Sequence, residues 1–165
     1  MLDTNVLSEL RKPRPDANVV AFVARQPGEH LFASEVTFAE IRFGIEKVGD
    51  IAKRAELARW LERDLRPLFA GRALCVDEDV FLRWRVMVEA GRMRRHTFSQ
   101  PDLFIAATAA CHGLVAVSRD TSEFVEASVP CLDPWTSTYH AQGKAERLEG
   151  PVDLASLPGA KRGGR

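Results

Sequence analysis

The sequence is short of several things, and each shortage removes a class of protein. It has no excess of either charge. Lys and Arg number 23, as do Asp and Glu, so general phosphate attraction does not mark a nucleic-acid binder and any such contact must be local. It has no N-terminal basic-then-apolar signal, and no apolar run nears the roughly 18 to 20 residues that span a bilayer, so neither secretion nor membrane insertion is expected. The three cysteines, Cys75, Cys111 and Cys131, are odd in number, lack CxxC spacing and sit among apolar neighbours. Buried thiols in a reducing cytoplasm are expected, with no disulfide and no zinc. His30, His96, His112 and His140 have no metal-ligand spacing among themselves, and no Ser or Cys sits in a nucleophile motif. Nucleophilic side-chain catalysis therefore has no carrier, and no internal repeat is present.

The chain does have the makings of one core: 165 residues, 45% hydrophobic and 28% charged, the size and composition of a single globular domain. Apolar runs of strand length at 31–33, 73–76, 114–117 and 129–132 alternate with helix-period segments, the pattern of a parallel β-sheet with flanking α-helices. Leu57, Trp60, Leu61 and Leu65 share one helical face that Pro67 should end. Val80, Phe81, Trp84, Met87 and Val88 share another, ending before Gly91. Both faces are expected to point into the core. The expected domain is 1–140. Residues 141–165 lose aromatics, gain Gly, Pro, Lys and Arg, and read as a disordered, solvated basic tail.

Four acids stand where chemistry could happen. Asp3 lies at a strand-to-helix junction and could be a helix cap. Glu40, three residues after Thr37, fits a capping box. Asp102, after Ser99 and Pro101, falls in a helix's first turn. Asp120 follows the apolar run at 114–117 and could cap the next turn. Taken singly, each has a sufficient structural role. Taken together, all four fall at the edge of a parallel sheet where strands end and helices begin, the edge where ligands bind. Carboxylates gathered there repel each other by about 1 kcal/mol per pair even in water, which calls for protons or a cation. An all-oxygen donor set suits Mg²⁺ or Mn²⁺ with water and a phosphate oxygen completing the shell, and such an ion serves phosphodiester hydrolysis. Asp77, Glu78 and Asp79 also follow a strand but are read as a helix start. Arg92, Arg94, Arg95 and His96 form the densest basic run, read as a solvated loop with RNA phosphate contact as the alternative.

The residues in order, Leu-Asp-Thr-Asn-Val-Leu-Ser-Glu-Leu (2–10), Thr-Phe-Ala-Glu-Ile-Arg-Phe-Gly-Ile (37–45), Pro-Asp-Leu-Phe-Ile-Ala-Ala-Thr-Ala (101–109) and Val-Ser-Arg-Asp-Thr-Ser-Glu-Phe (117–124), resemble the PIN-domain toxins of the VapC/FitB-like type. Arg-Pro-Leu-Phe-Ala-Gly-Arg (66–72) and Leu-Asp-Pro-Trp (132–135) extend the likeness to about residue 136. The resemblance implies a PIN-like parallel sheet flanked by helices and Mg²⁺- or Mn²⁺-dependent endoribonuclease activity. It also implies a homodimer and a small antitoxin partner that binds operator DNA. It carries the metal-site acids onto Asp3, Glu40, Asp102 and Asp120, Asp3 and Asp102 first, with Thr4, Asn5 and Thr121 in support. Only Met1 and Leu2 precede Asp3, where the family has a longer apolar strand. A short central strand that holds Asp3 less securely is therefore expected, and a start upstream of Met1 stays open. Two other functions remain open: a metallohydrolase of small phosphoesters, and a non-catalytic protein-binding PIN module.

Overall fold

The structure is a computed structural model that describes residues 1–158. Four short strands, β1 (Ala33–Ser34), β2 (Ala73–Leu74), β3 (Ala116–Val117) and β4 (Cys131–Asp133), lie parallel where the apolar runs fall. The centre of the sheet is Leu2 alone. It bridges Ala33 on one side and Val117 on the other, joining the β1–β2 pair to β3–β4. One residue suffices because the backbone around it is bonded on both sides: Leu2 N donates to Phe32 O at 2.8 Å, Asp3 N to Val117 O at 3.0 Å, and Val117 N to Met1 O at 2.8 Å. Asp3 is thus firmly placed, against the expectation drawn from the brevity of that strand.

Helices cover both faces. Helices α1 (Thr4–Leu10), α2 (Ala17–Arg25), α3 (Glu35–Glu46) and α4 (Ile51–Trp60) enclose one core with Leu2, Val117 and Leu132. Helices α6 (Glu78–Met93), α7 (Gln100–His112) and α8 (Thr121–Glu126) enclose the other with Ala116 and Cys131. Neighbours in β3 and in β4 go to opposite faces, as strand geometry requires. After α4 the chain continues through a π turn, Leu61–Leu65, into a short α5, Arg66–Leu68. The helical run stops at Leu68, one residue past Pro67, close to the expected end. Leu61 and Leu65 are buried as expected, with Leu57 and Trp60 packed at the margin.

Three expectations need correction. Phe81 is 53% exposed; only Val80 and Met87 of the α6 set are fully buried, because one core contact cannot cover a stripe that wide. Cys75 is exposed, while Cys131 is buried and Cys111 lies between; β2 is the edge of the sheet, so residues following it meet solvent. The expected tail is ordered across 141–158. Strand β5 (Thr138–Ala141) pairs antiparallel with β4 and with β6 (Lys144–Arg147). The β5–β6 turn is Gln142–Gly143, both at positive φ, the backbone of a type I′ hairpin. Beyond it, Leu154 and Leu157 are buried in the α1–α4 core. Gln26 fastens this segment, its Nε2 donating to Val152 O at 2.8 Å and its Oε1 accepting from Leu154 N at 3.0 Å. These few apolar residues hold because they join an existing core rather than build one. The basic end, 159–165, lies outside the described residues.

Candidate active site

Asp3 is 3% exposed and caps α1. Its Oδ1 accepts from Thr4 N at 2.7 Å, and its Oδ2 from Asn5 Nδ2 at 2.8 Å and from Ser118 Oγ at 2.7 Å. Three donors favour the charged form, yet burial outweighs them and, with Asp102 and Asp120 nearby, pushes the carboxyl up to about 6. Asp102, half-buried in the first turn of α7 as expected, is also raised, first by burial and then by the charge of Asp120. Asp120 precedes α8, is exposed, and accepts from Ser122 Oγ at 2.8 Å. Three of the four expected acids therefore share one electrostatic neighbourhood, with no salt bridge from Lys or Arg to any of them among the described residues.

Glu40 makes no hydrogen bond to this trio among the described residues. It lines an adjoining groove of about 400 Å³ with Thr4, Arg11, Ile41, Leu57 and Trp60. The capping box does not form, because α3 begins three residues earlier than that motif requires. Ser34 is its N-cap, accepting from Val36 N at 3.2 Å, and the buried hydroxyl of Thr37 has no partner. Glu40 is left with no cap to fill, and it lines the same groove as Thr4, the residue after Asp3.

The centre of the constellation is Ser118, a residue that no sequence motif singles out. Fully buried, its hydroxyl donates to Asp3 and accepts from Asn5 Nδ2 at 2.8 Å and from Asp120 N at 3.0 Å. It ties the end of β3 to the start of α1. The only signal in the sequence was its place next to Arg119-Asp120, and a serine beside an acid is too common to single out. Asn5 supports the site as expected, its Oδ1 also accepting from Arg119 N at 3.2 Å. Thr4 Oγ1 is buried without a partner, and Thr121 has no hydrogen bond to the acids among the described residues. In the basic run, Arg94 is committed to structure, donating to Glu126 O at 2.6 Å at the end of α8.

A buried carboxylate beside two others, without a cation and with an unpartnered hydroxyl adjacent, suits a hard divalent ion in charge and donor chemistry. Among the described residues no group of three or more His, Cys, Asp or Glu is placed to hold a metal ion. An ion here would take one or two carboxylates and fill its shell with water and phosphate oxygen, as Mg²⁺ commonly does.

A parallel sheet between helical layers, with acidic side chains gathered where β3 and the Leu2 bridge end, defines an α/β domain with a candidate site of carboxylates. The PIN domain family profile matches residues 1–129, and the chain belongs to that family, among its VapC/FitB-type members. It is 36% identical over 135 residues to a protein named VapC ribonuclease Y4jK from Sinorhizobium fredii, covering 82% of this chain and 96% of that one. It is 36% identical over 135 residues to toxin FitB from Neisseria gonorrhoeae, covering 82% and 97%. The crystal structure of FitAcB from Neisseria gonorrhoeae superposes with a TM-score of 0.77 at 36% identity, covering 81% of this chain and 96% of that one. A structure of FitAB bound to the IR36 DNA fragment gives 0.76 at 35% identity, covering 81% and 94%. The relatives are spanned almost end to end, so the surplus length of this chain has no counterpart in them.

Proposed function

We propose that this protein is a Mg²⁺- or Mn²⁺-dependent endoribonuclease, the toxin of a toxin–antitoxin module acting in the cytoplasm. The observation that carries the reading is the buried, uncompensated carboxylate of Asp3 beside Asp102 and Asp120. Asp3 and Asp102 would hold the ion, with Asp120 and Glu40 completing the acidic surround. Bound there, a divalent ion would supply Lewis acidity to a water and to the charge on a leaving oxygen. The chain's own residues supply position. Thr4 N, Asn5 and Ser118 fix both oxygens of Asp3, and Ser118 holds the backbone of Asp120 in the same register. Preset geometry of this kind lets charge develop without reorganising the site.

The partners follow from the relatives' names and from two surfaces. The groove beside Glu40, with Ile41, Ile45, Leu57 and Trp60 in its wall, suits an apolar segment of a small antitoxin that also binds operator DNA. The exposed Phe81, Leu82 and Val86, next to Trp84 stacked on Phe104 at 4.8 Å, suit a homodimer contact.

Cleavage of total RNA by the purified protein in Mg²⁺ and in Mn²⁺, against EDTA and Asp102→Asn, tests the reading. Cleavage in metal alone, lost in the variant, is expected. Hydrolysis of a small phosphoester with RNA left intact would instead make the protein a small-molecule phosphohydrolase.

A further inference from the structure

We propose that Arg119, set over the indole of Trp135, is the residue that grips the RNA backbone beside the acidic site. This assignment rests on the ribonuclease reading and adds to it the group that holds substrate.

An acidic site on a chain with no net charge must bring in a polyanion with cations placed locally. Two cations at the far end of α1 from Asp3 are already engaged: Arg11 pairs with Glu56 at 2.5 Å and Lys12 with Glu9 at 2.6 Å. Arg119 is exposed, and among the described residues its guanidinium enters no salt bridge and donates no side-chain hydrogen bond, with Glu9, already paired to Lys12, an acid that it influences. Its place is fixed at both ends. The backbone N–H is bound to Asn5 Oδ1, between Ser118 and Asp120, and the guanidinium carbon lies 5.6 Å from the centre of the Trp135 ring.

Trp135 is itself held. Strand β4 runs parallel to β3, so the residues after Asp133 leave the sheet at the same edge as Ser118–Asp120. There Trp135 N donates to Asp133 Oδ1 at 2.8 Å and Trp135 O accepts from Asn18 Nδ2 at 3.0 Å, with the ring half-buried against the core. An arginine laid on a fixed aromatic loses little rotamer freedom when it binds and keeps its N–H fork for phosphate oxygens. Its exposed face is also a plane on which an unpaired base can stack. A flexible lysine over the same ring would keep the charge and lose the fork.

The test uses a fluorescein-labelled single-stranded 12-mer RNA of mixed sequence and the full chain in Ca²⁺. That ion offsets the carboxylates but accepts looser geometry than Mg²⁺ demands. Affinity is read by anisotropy across a salt series for the parent, Arg119→Ala, Arg119→Lys, Trp135→Phe and Trp135→Ala. Arg119→Ala is expected to weaken binding about tenfold and to flatten the salt dependence by about 0.7 in log–log slope, one phosphate's worth. Arg119→Lys should keep the slope but recover only part of the affinity. Trp135→Phe should bind like the parent, and Trp135→Ala should lose affinity while keeping the slope. If the parent binds and Arg119→Ala matches it in affinity and slope, the assignment is wrong and the ribonuclease reading stands. If the parent binds no RNA here and cleaves none in Mg²⁺ or Mn²⁺, both fall.

Discussion

Asp3→Asn should make the metal-free protein more stable at neutral pH, although it removes a residue placed at the heart of the site. The carboxyl is raised from its ordinary 3.8 to about 6 by burial and by neighbouring acids. The folded state therefore binds a proton that the unfolded chain has released between those two values. Stability falls as pH rises through this window, and the full cost is present above about 6. At about 1.4 kcal/mol for each tenfold, the ionised carboxylate costs the metal-free fold about 3 kcal/mol. Asparagine is neutral and nearly isosteric, but only one of its two terminal atoms accepts. Keeping Asn5 and Ser118 satisfied turns its amide nitrogen toward Thr4 N and loses that cap, a cost of about 1 kcal/mol. The net gain is about 2 kcal/mol at pH 7.5. Urea unfolding in EDTA, followed by tryptophan fluorescence, should show it. At pH 4.5, between the two values, the parent bears only about 1 kcal/mol of that cost, the lost cap offsets it, and the variant should match the parent. An Asp3→Asn protein no more stable than the parent at pH 7.5, or a difference that does not change with pH, would refute the reasoning.

Ser118→Ala should remove the shared hydroxyl and leave buried donors and an acceptor unmatched. A loss of about 2 kcal/mol in urea unfolding and a roughly 10- to 100-fold weaker Mn²⁺ affinity by titration calorimetry are expected; wild-type Mn²⁺ affinity would show that Ser118 does not orient Asp3. Gln26→Ala should free the segment after β6 by cutting its two bonds to Val152 and Leu154. A stability loss of about 1 to 3 kcal/mol and faster limited proteolysis within 148–158 are the expected results; an unchanged digestion pattern would mean that Leu154 and Leu157 hold the segment alone.

The parallel half of the fold was legible because its strands are short, apolar and separated by helix-period segments, the signature of a sheet buried on both faces. The hairpin was not. Residues of β6 are exposed, so Lys144–Arg147 carry no apolar alternation. The turn uses Gln142, a residue that rarely takes positive φ, where Asn or Asp would have given the hairpin away. Asp3, Asp102 and Asp120 were legible through position, each one step past the end of a strand or at the start of a helix. Glu40 was read partly through a capping box that a nearer serine, Ser34, pre-empts. Ser118 was invisible because its importance is geometric: it lies 115 residues from Asp3 along the chain, and nothing local marks that pairing.

That separation bears on how the protein comes to life. The centre of the sheet is Leu2, and its partner on one side, Val117, is made more than a hundred residues later. Contacts so distant in sequence slow folding, because the loop must close before any pairing is gained. During synthesis the opening residues emerge with no β3 to receive them, and the acids cannot converge until most of the domain has left the ribosome. A site assembled this way has no complete counterpart in an unfinished chain. The step that builds its site is also the step that closes its sheet.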